Sequence, residues 1–372
     1  MAKVTNERIE EIVEQLDKAL DGDKRAQGAI KTEIEESHST SDFPEVFRSV
    51  TQAAFLDQYA QIESVYTQYT RPYNVNNLRP QSFYSLFMDM SNMPETNGGY
   101  DTTKQQGAAG LARIPELTEF PTFSFSASES SFGVAKYGAR VNFSFEMLLN
   151  DEWGVLETLP NQLAVLARNQ EDIVSTEVLA SPTGPNADFF NSANGNVIAG
   201  NPHLSVDSLD AAINSINTRT LNGNPVRVDN LALIVPPALE REARRIVSVS
   251  SFLVEDENGT YNIANPVSGV TVIVNPWLPV IDKSATVNTT WYLVPYAGAG
   301  LRPSIVFSKI RGRETPELRI ASATGNYLGG GEVPGREGSF LNDDIEFRVR
   351  HFVGAAGIAA ETVAVSKGTD AS

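Results

Sequence analysis

Residues 137–151 read Tyr-Gly-Ala-Arg-Val-Asn-Phe-Ser-Phe-Glu-Met-Leu-Leu-Asn-Asp, and two different periodicities meet in them. Val141, Phe143 and Phe145 alternate with polar residues, which predicts a strand with one face turned to a core. Beyond this stretch the apolar residues recur at helical spacing as far as Val178. A strand that leads directly into a long helix is the element on which the fold assignment depends.

The helix is predicted between about residues 151 and 180. Its apolar stripe consists of Leu156, Leu159, Leu163, Leu166, Ile173, Val174 and Val178. Asn150 or Asp151 can cap its start. Pro160 lies inside the pattern, so it either kinks the helix or opens its main part with Thr158 as the cap. At about 1.5 Å per residue the helix would span roughly 30–45 Å, which is long enough for a strut.

A long stretch with few core residues lies N-terminal to this element, and strand signals flank it. Phe123 and Phe125 alternate with serine, whereas residues 91–120 are rich in glycine and proline and poor in large apolar side chains. Loops of this length without core residues are usually functional or disordered. We therefore expect a two-stranded excursion that leaves a sheet and rejoins it.

The segments before the excursion are predicted to be helical and then extended. Apolar residues recur at helical spacing over residues 4–36, and a second short helix is expected around residues 44–63. Prolines follow Arg71 and Arg79. Because the residue before a proline avoids the helical region, this arm is expected to be extended.

Helices and strands alternate from about residue 181 onward. Ser205 is placed to cap a helix, and Pro236-Pro237 opens another after the buried strand Leu231–Val235. Asn258-Gly259 predicts a hairpin turn. The other expected strands cover residues 270–274, 291–294, 304–309, 317–321 and 345–353.

The composition is that of a folded protein without membrane spans or cysteine chemistry. Of the 372 residues, 41% are hydrophobic and 20% charged, and there is no cysteine, which fits a reducing cytoplasm. The sequence has no apolar run of bilayer length and no secretory signal at its start. A net charge of −17 opposes nucleic acid as a primary ligand, because phosphate binding needs clustered Lys and Arg.

No group of residues has catalytic or metal-binding spacing. His38, His203 and His351 lie in separate segments, and each is interpreted as a structural or surface histidine. Residues 254–259 echo a calcium loop but lack its ligands, and residues 298–303 lack the third glycine of a dinucleotide fingerprint. Both are interpreted as turns. We predict no catalytic residue, no cofactor, no metal and therefore no enzyme.

Basic residues cluster modestly at two places. Arg241, Arg244 and Arg245 stand beside glutamates on one helical face, which favours ion pairs within the helix. Residues 309–313 carry Lys, Arg and Arg near a strand end. For this second cluster, a surface turn and a contact between subunits both remain open.

Three segments, taken in order, resemble the major capsid proteins of tailed phages, whose fold is the Hong Kong 97 type. Residues 137–151 are similar to the strand that leads to the family's long spine helix. Residues 233–240, Leu-Ile-Val-Pro-Pro-Ala-Leu-Glu, are similar to a strand–proline–helix step of the central A-domain. Residues 266–279, Pro-Val-Ser-Gly-Val-Thr-Val-Ile-Val-Asn-Pro-Trp-Leu-Pro, are similar to the family's Gly-Val-strand-Pro segment. The resemblance covers about residues 45–360.

The resemblance implies an α+β capsid fold in five parts. They are N-terminal helices and an N-arm (1–84), an extended E-loop hairpin (85–135), a P-domain strand with the spine helix (136–182), an α/β A-domain (183–302), and the β-rich P-domain return with the C-terminus (303–372). The chain would then be a major capsid protein, a structural protein of the virion that self-assembles into the icosahedral shell of the phage head around double-stranded DNA.

The implied partners are other copies of the chain, arranged as hexamers and pentamers. Scaffolding, portal and cement proteins are further candidates, and no membrane is involved. Assembly is expected in the host cytoplasm, and the acidic balance should let the shell enclose DNA without binding it specifically.

Three other interpretations stay open. An encapsulin-like nanocompartment would share the fold but enclose cargo enzymes, so the contents of the particle would distinguish it. An α/β enzyme with an appended β domain would be a monomer or small oligomer with a polar pocket. A phage tail structural protein would form tubes.

Basic residues in the family's contact regions are expected to mediate assembly. The expected contacts are Lys104, Arg113, Arg140, Arg311 and Arg313. Because the E-loop has few core residues, we expect it to fold fully only against a neighbouring subunit. Some relatives join an E-loop lysine covalently to a neighbour's asparagine; Lys104 and Asn342 are the candidate pair here, and we expect no such crosslink. Some relatives also lose a long N-terminal segment, whereas residues 1–40 are short and are expected to be retained.

Overall fold

A computed structural model describes most of the chain from residue 55 onward. The described residues are 55–89, 116–117, 124–144, 153–221, 224–226, 228, 230–256, 259–298, 303–321, 328 and 344–369. The predicted helix at residues 4–36 lies outside them, as do the predicted caps Asn150 and Asp151 and the residues His38, Lys104, Arg113 and Asn342.

The helices agree with the periodicity of the sequence. They are a short helix at residues 55–61, α1 (Trp153–Leu179), α2 (Val206–Asn217), α3 (Glu240–Ser248) and α4 (Leu278–Ile281), with 3-10 turns at Val65–Gln68, Pro237–Leu239, Tyr296–Gly298 and Ala360–Thr362. The predicted cap of α2 is confirmed: the Ser208 N–H donates to the Ser205 hydroxyl, and the Ser205 N–H donates to the Ser208 hydroxyl. This reciprocal pair satisfies two amide groups that a helix start leaves open.

Two details of α1 differ from the sequence prediction. The helix begins at Trp153, so Pro160 lies inside it and does not open it with Thr158 as the cap. Leu166, which was assigned to the apolar stripe, is 52% exposed. The buried face instead includes Ala164 and Ala167, which a pattern of large apolar residues overlooks.

The strands match the predicted positions and extend some of them. In chain order they are β1 (Arg71–Val75), β2 (Gln81–Asp89), β3 (Ser124–Phe132), β4 (Ala135–Ser144), β5 (Ala180–Ser181), β6 (Gly184–Pro185), β7 (Thr220–Leu221), β8 (Asn224–Pro225), β9 (Leu231–Val235), β10 (Ser251–Asp256), β11 (Gly259–Ala264), β12 (Thr271–Val274), β13 (Trp291–Pro295), β14 (Ile305–Ile310), β15 (Glu317–Ile320), β16 (Asp344–Gly357) and β17 (Ala364–Ser366). The predicted hairpin near Asn258-Gly259 is confirmed, since β10 and β11 pair antiparallel up to Asp256 opposite Gly259.

The chain forms two compact units. The first contains residues 1–63, 136–170 and 313–352. In it the start of β16 pairs with β4 and, antiparallel, with β15. Its core is a cluster of Phe55, Tyr59, Leu159, Leu163, Ala164, Ala167, Leu318, Ile345, Phe347 and Val349. The short helix at residues 55–61, the first part of α1 and this sheet therefore share one apolar core.

The second unit contains residues 64–135, 171–312 and 353–372. Its central sheet has the order β12-β9-β13-β17, with β12 parallel to β9 and the other pairs antiparallel. All five residues of β9 are buried, which explains the uninterrupted apolar run in the sequence. Helices α2 and α3 add Leu209, Ile216 and Ile246 to this core, and each such side chain contributes about 1.5–3 kcal/mol by leaving water.

A second sheet in this unit joins distant parts of the chain. The last residues of β16 pair antiparallel with β14, and β14 pairs in parallel with β1, so that Arg71 lies opposite Val306 and Val75 opposite Ile310. The predicted extended arm is thus a strand at the end of this sheet.

Candidate assembly surfaces

The two strands that form the base of the predicted excursion are present in the structure. Strands β2 and β3 pair antiparallel over nine residue pairs, from Gln81 opposite Phe132 to Asp89 opposite Ser124. At about 3.4 Å per residue, this ladder extends for roughly 30 Å. Among the strands that the structure describes, neither β2 nor β3 pairs with any other strand. Because an isolated two-stranded ladder is marginally stable in water, it is suited to gaining stability from another surface.

Aromatic packing and a close backbone approach fix the base of this hairpin. The Tyr73 ring stands edge-on to Phe83 and Phe132, with ring centroids 6.2 and 5.2 Å apart. Phe132 is buried, and the Ser82 hydroxyl donates a hydrogen bond to the Glu129 carboxylate across the ladder. A Cβ atom added to Gly354 would overlap the carbonyl oxygen of Gly133, so only glycine fits there.

Buried polar contacts tie the arm before the hairpin to the second half of α1. The Tyr66 N–H donates to the Asp172 carboxylate over 3.1 Å, and the hydroxyls of Tyr69 and Ser175 are 2.9 Å apart. The pKa of Tyr69 is raised well above its ordinary value, chiefly because the hydroxyl is buried away from water, so this phenol stays neutral. The Tyr66 ring stacks on Phe307 with centroids 4.0 Å apart. The arm from which the hairpin starts is therefore anchored to α1 and β14 by buried contacts.

Two polar residues of the same helix segment make further long-range contacts. The Glu171 carboxylate is fully buried and lies 2.7 Å from the Lys309 ammonium. Thr176 accepts a hydrogen bond from the buried Asn275 amide over 2.9 Å, and the Asn275 carbonyl oxygen accepts the Trp277 N–H. The sequence patterns did not point to these residues. The signal that could have revealed them is the Glu171-Asp172 pair inside an apolar helical pattern.

The basic residues predicted to mediate assembly differ in whether they form ion pairs within the chain. The Arg140 guanidinium lies 3.1 Å from the Glu346 carboxylate, and that of Arg313 lies 3.7 Å from the Glu317 carboxylate. Arg311 is exposed and forms no ion pair with any residue of the described part. Lys104 and Arg113 lie outside the described residues. Arg140 and Arg313 belong to the first unit and Arg311 to the second, and the part of all three in assembly stays a prediction.

Glu317 accepts hydrogen bonds from two arginines of the first unit. The Nε atoms of Arg319 and Arg350 donate to its two oxygens over 3.1 and 3.0 Å. These hydrogen bonds, that of Arg319 first, lower the pKa of Glu317 to about 2. On the helix α3, Arg244 and Arg245 pair with Glu240 and Glu242 at distances of 2.9 and 3.6 Å. The predicted pairing within that helix is confirmed for these two arginines.

The two histidines that the structure describes have different surroundings. His203 is exposed, and its carbonyl oxygen accepts a hydrogen bond from the Ser208 hydroxyl. His351 is buried, with its ring edge-on to Tyr59 at 6.1 Å between centroids. Within the described ranges, no three His, Asp or Glu side chains converge as metal ligands. No described helix combines the length and apolarity needed to cross a bilayer.

Comparison with known proteins gives a match to one family. The model of a family described as phage capsid protein matches residues 128–366 of this chain, which is more than half of it. Among curated proteins, none matches the chain.

Solved structures resemble the chain at low sequence identity. The capsid of an empty GTA particle is 15% identical, with 82% of this chain and 90% of that chain covered and a TM-score of 0.45. The capsid of the cyanophage P-SCSP1u is 11% identical, with 82% and 87% covered and a TM-score of 0.45. The holo-SrpI encapsulin complex from Synechococcus elongatus PCC 7942 is 11% identical, with 80% and 85% covered and a TM-score of 0.41. All three TM-scores are below 0.5, so these likenesses add nothing to the family match.

Proposed function

The chain belongs to the phage capsid protein family, and from that premise we propose that its copies close into an icosahedral shell around double-stranded DNA, with the β2–β3 hairpin of each copy laid across a neighbour. The chain is thus a structural capsid protein, and hexamers and pentamers are its proposed assembly units. Scaffolding, portal and cement proteins are the proposed partners, and the host cytoplasm is the proposed place of assembly. The five-part division of the chain stays part of this proposal.

One observation carries the proposal: the hairpin has a fixed base and an unpaired ladder. Its root is held by Tyr73 against Phe83 and Phe132, whereas β2 and β3 pair with no third strand of the described part. A two-stranded ladder of roughly 30 Å is long enough to reach a neighbouring subunit. Packing it on an adjacent copy would supply the apolar burial that two strands alone lack. Many modest contacts of this kind, repeated around a closed shell, sum to a stable particle.

The charge of the chain supports the proposed relation to DNA. With 46 acidic and 29 basic residues, each copy carries a formal charge of −17. A wall built from such copies repels phosphates on average, so the genome can be enclosed without adhering to it. Tight binding of duplex DNA by dispersed subunits at physiological salt would contradict this part of the proposal.

The test shortens the hairpin and leaves its base intact. Residues 85–128 are replaced by an Asn-Gly turn, which keeps Tyr84 opposite Glu129, the hydrogen bond from Ser82 to Glu129 and Gln81 opposite Phe132. We expect the purified variant to keep the melting temperature of the wild-type subunit, because the residues that the structure describes in the two apolar cores lie outside the removed segment. We also expect it to give no shells by size-exclusion chromatography and negative-stain microscopy, under conditions in which the wild-type chain gives shells.

Two results would contradict the proposal. Shells from the shortened chain at the wild-type yield would show that the hairpin is dispensable. Wild-type particles that contain protein cargo and no DNA would favour a nanocompartment, and tubes would favour a tail protein. Matching unfolding curves of the two chains serve as the control for folding.

A further inference from the structure

Carboxylates are absent from two segments of this acidic chain. Residues 64–88 contain two arginines and no Asp or Glu, and residues 283–313 contain five Lys or Arg and no Asp or Glu. Across the whole chain, 46 of 372 residues are acidic, so an even distribution would place about one carboxylate in every eight residues. These two segments are therefore locally cationic in a protein whose net charge is −17.

The fold brings the two cationic segments together. Strand β1 comes from the first and pairs in parallel with β14, which comes from the second. The Arg311 N–H donates to the Val75 carbonyl oxygen over 2.8 Å, so Arg311 lies at the end of β1. Arg71 and Arg79 are each four residues from Val75, which limits their distance from it to about 14 Å along the chain. We call Arg71, Arg79 and Arg311 the arginine edge.

The three side chains of the arginine edge are exposed and uncompensated within the described part of the chain. None of them forms an ion pair with a residue that the structure describes. Lys309, which lies opposite Asn74 in the sheet, differs because Glu171 neutralises it in a buried ion pair. Within the described part of the chain, Lys309 thus has a counter-charge, whereas the three arginines of the arginine edge have none.

The backbone at the arginine edge is also at the end of its sheet. In the order β1-β14-β16, β1 is the terminal strand, and its first four residues are exposed. Pro72 within it lacks an N–H, which is typical of an edge strand and weakens any further ladder. Side-chain charge, more than a new row of backbone hydrogen bonds, should therefore dominate a contact made here.

We propose that the arginine edge is a contact surface that binds an acidic segment of a second copy of this chain. This inference deepens the proposed function and rests on it, since it adds a second contact between copies beside the hairpin. Each copy presents an excess of carboxylates and is present at high concentration wherever shells form, so charge complementarity selects it. Nucleic acid is the less suitable ligand, because three arginines must overcome the repulsion of the whole acidic subunit.

The first experiment reverses the charge of the arginine edge. The variant R71E/R79E/R311E is compared with K136E/R241E/K367E, which makes the same charge change at three other exposed cations without ion pairs in the described part. We expect the threshold concentration for particle formation to rise about tenfold or more in the first variant, because three exposed ion pairs between copies would be lost together. The control variant should change the threshold by less than about threefold.

The second experiment does not depend on how the variant folds. Asn74, which is exposed on β1, is replaced by the photoreactive p-benzoylphenylalanine in an otherwise wild-type chain. Copies labelled with light and heavy nitrogen isotopes are mixed before assembly and irradiated as particles. We expect crosslinked peptides that join a light copy to a heavy one, with Asp or Glu near the attachment point on the second peptide.

The outcomes separate this inference from the proposed function. Failure of the wild-type chain to form any particle would overturn both. Wild-type particles with an unchanged threshold for R71E/R79E/R311E, or crosslinks confined to single copies, would overturn this inference alone. Crosslinks from position 74 to DNA would assign the arginine edge to nucleic acid and would overturn it as well.

Discussion

The buried ion pair between Glu171 and Lys309 leads to a prediction that can be worked out from its geometry. The Glu171 side chain is fully buried, the Lys309 side chain is 17% exposed, and their charged atoms are 2.7 Å apart. The substitution Lys309→Met keeps most of the apolar stem and removes the ammonium that compensates the carboxylate. Removing one partner of a buried pair typically costs about 3–5 kcal/mol, because the other charge stays in a medium that solvates it poorly.

The double substitution separates the loss of charge compensation from the loss of packing. In E171M/K309M no uncompensated charge remains, and methionine favours the helical conformation at position 171. Replacing both members of a buried pair by apolar residues is often neutral or stabilising. We therefore expect the double variant to lie within about 1 kcal/mol of the wild type, which corresponds to a coupling energy of several kcal/mol in the double-mutant cycle.

The assay is urea unfolding of dispersed subunits at pH 7, followed by circular dichroism. Arg311→Met is the matched control, because it removes an exposed cation two residues away that has no ion pair within the described part, and it should change the stability by less than about 0.5 kcal/mol.

Two results would refute this reasoning. A loss below about 1 kcal/mol in Lys309→Met would mean that water or other groups solvate Glu171 well enough without the lysine. A double variant as unstable as the single one would mean that the stem of Lys309, and not its charge, supplies the stability.

Three further predictions concern single residues of the two units. Gly354→Ala should destabilise the subunit by about 1–3 kcal/mol and lower the shell yield, because the added Cβ would overlap the Gly133 carbonyl oxygen at the hairpin base. As a control, Gly269→Ala should change the unfolding midpoint little, because a Cβ added there meets no atom within 4 Å. Because the pKa of Glu317 is lowered to about 2, the stabilisation by the Glu317 carboxylate should be complete above about pH 4.5 and should disappear as the pH falls toward 2. In acid unfolding curves, Glu317→Gln should remove this part of the pH dependence. Asn275→Ala should cost about 1–3 kcal/mol in urea unfolding, because it removes the donor to the buried Thr176 hydroxyl and the acceptor of the partly buried Trp277 N–H, and an unchanged midpoint would contradict that assignment.

The elements with strong local patterns could be predicted from the sequence. The apolar run of β9, the cap of α2 at Ser205 and the alternation in β4 each indicated their element, because helix and strand periodicity is a property of neighbouring residues. The family resemblance of the ordered segments implied the α+β class, which the structure confirms. The capsid family, to which the ordered segments pointed, is confirmed by the match over residues 128–366.

The charged contacts could not be predicted in this way. Glu171 finds Lys309 only because α1 packs beside β14, and the arginine edge exists only because β1 lies parallel to that same strand. Leu166 shows the related limit for apolar residues, since its spacing fits the stripe of α1 but its side chain is half exposed. Sequence periodicity fixes which residues share a face of one element, whereas the partner of that face is set by the packing of segments far apart in the chain. For this reason the sequence determined the elements and their order, and the tertiary structure alone decided which charges are neutralised inside a subunit and which are left for a neighbour.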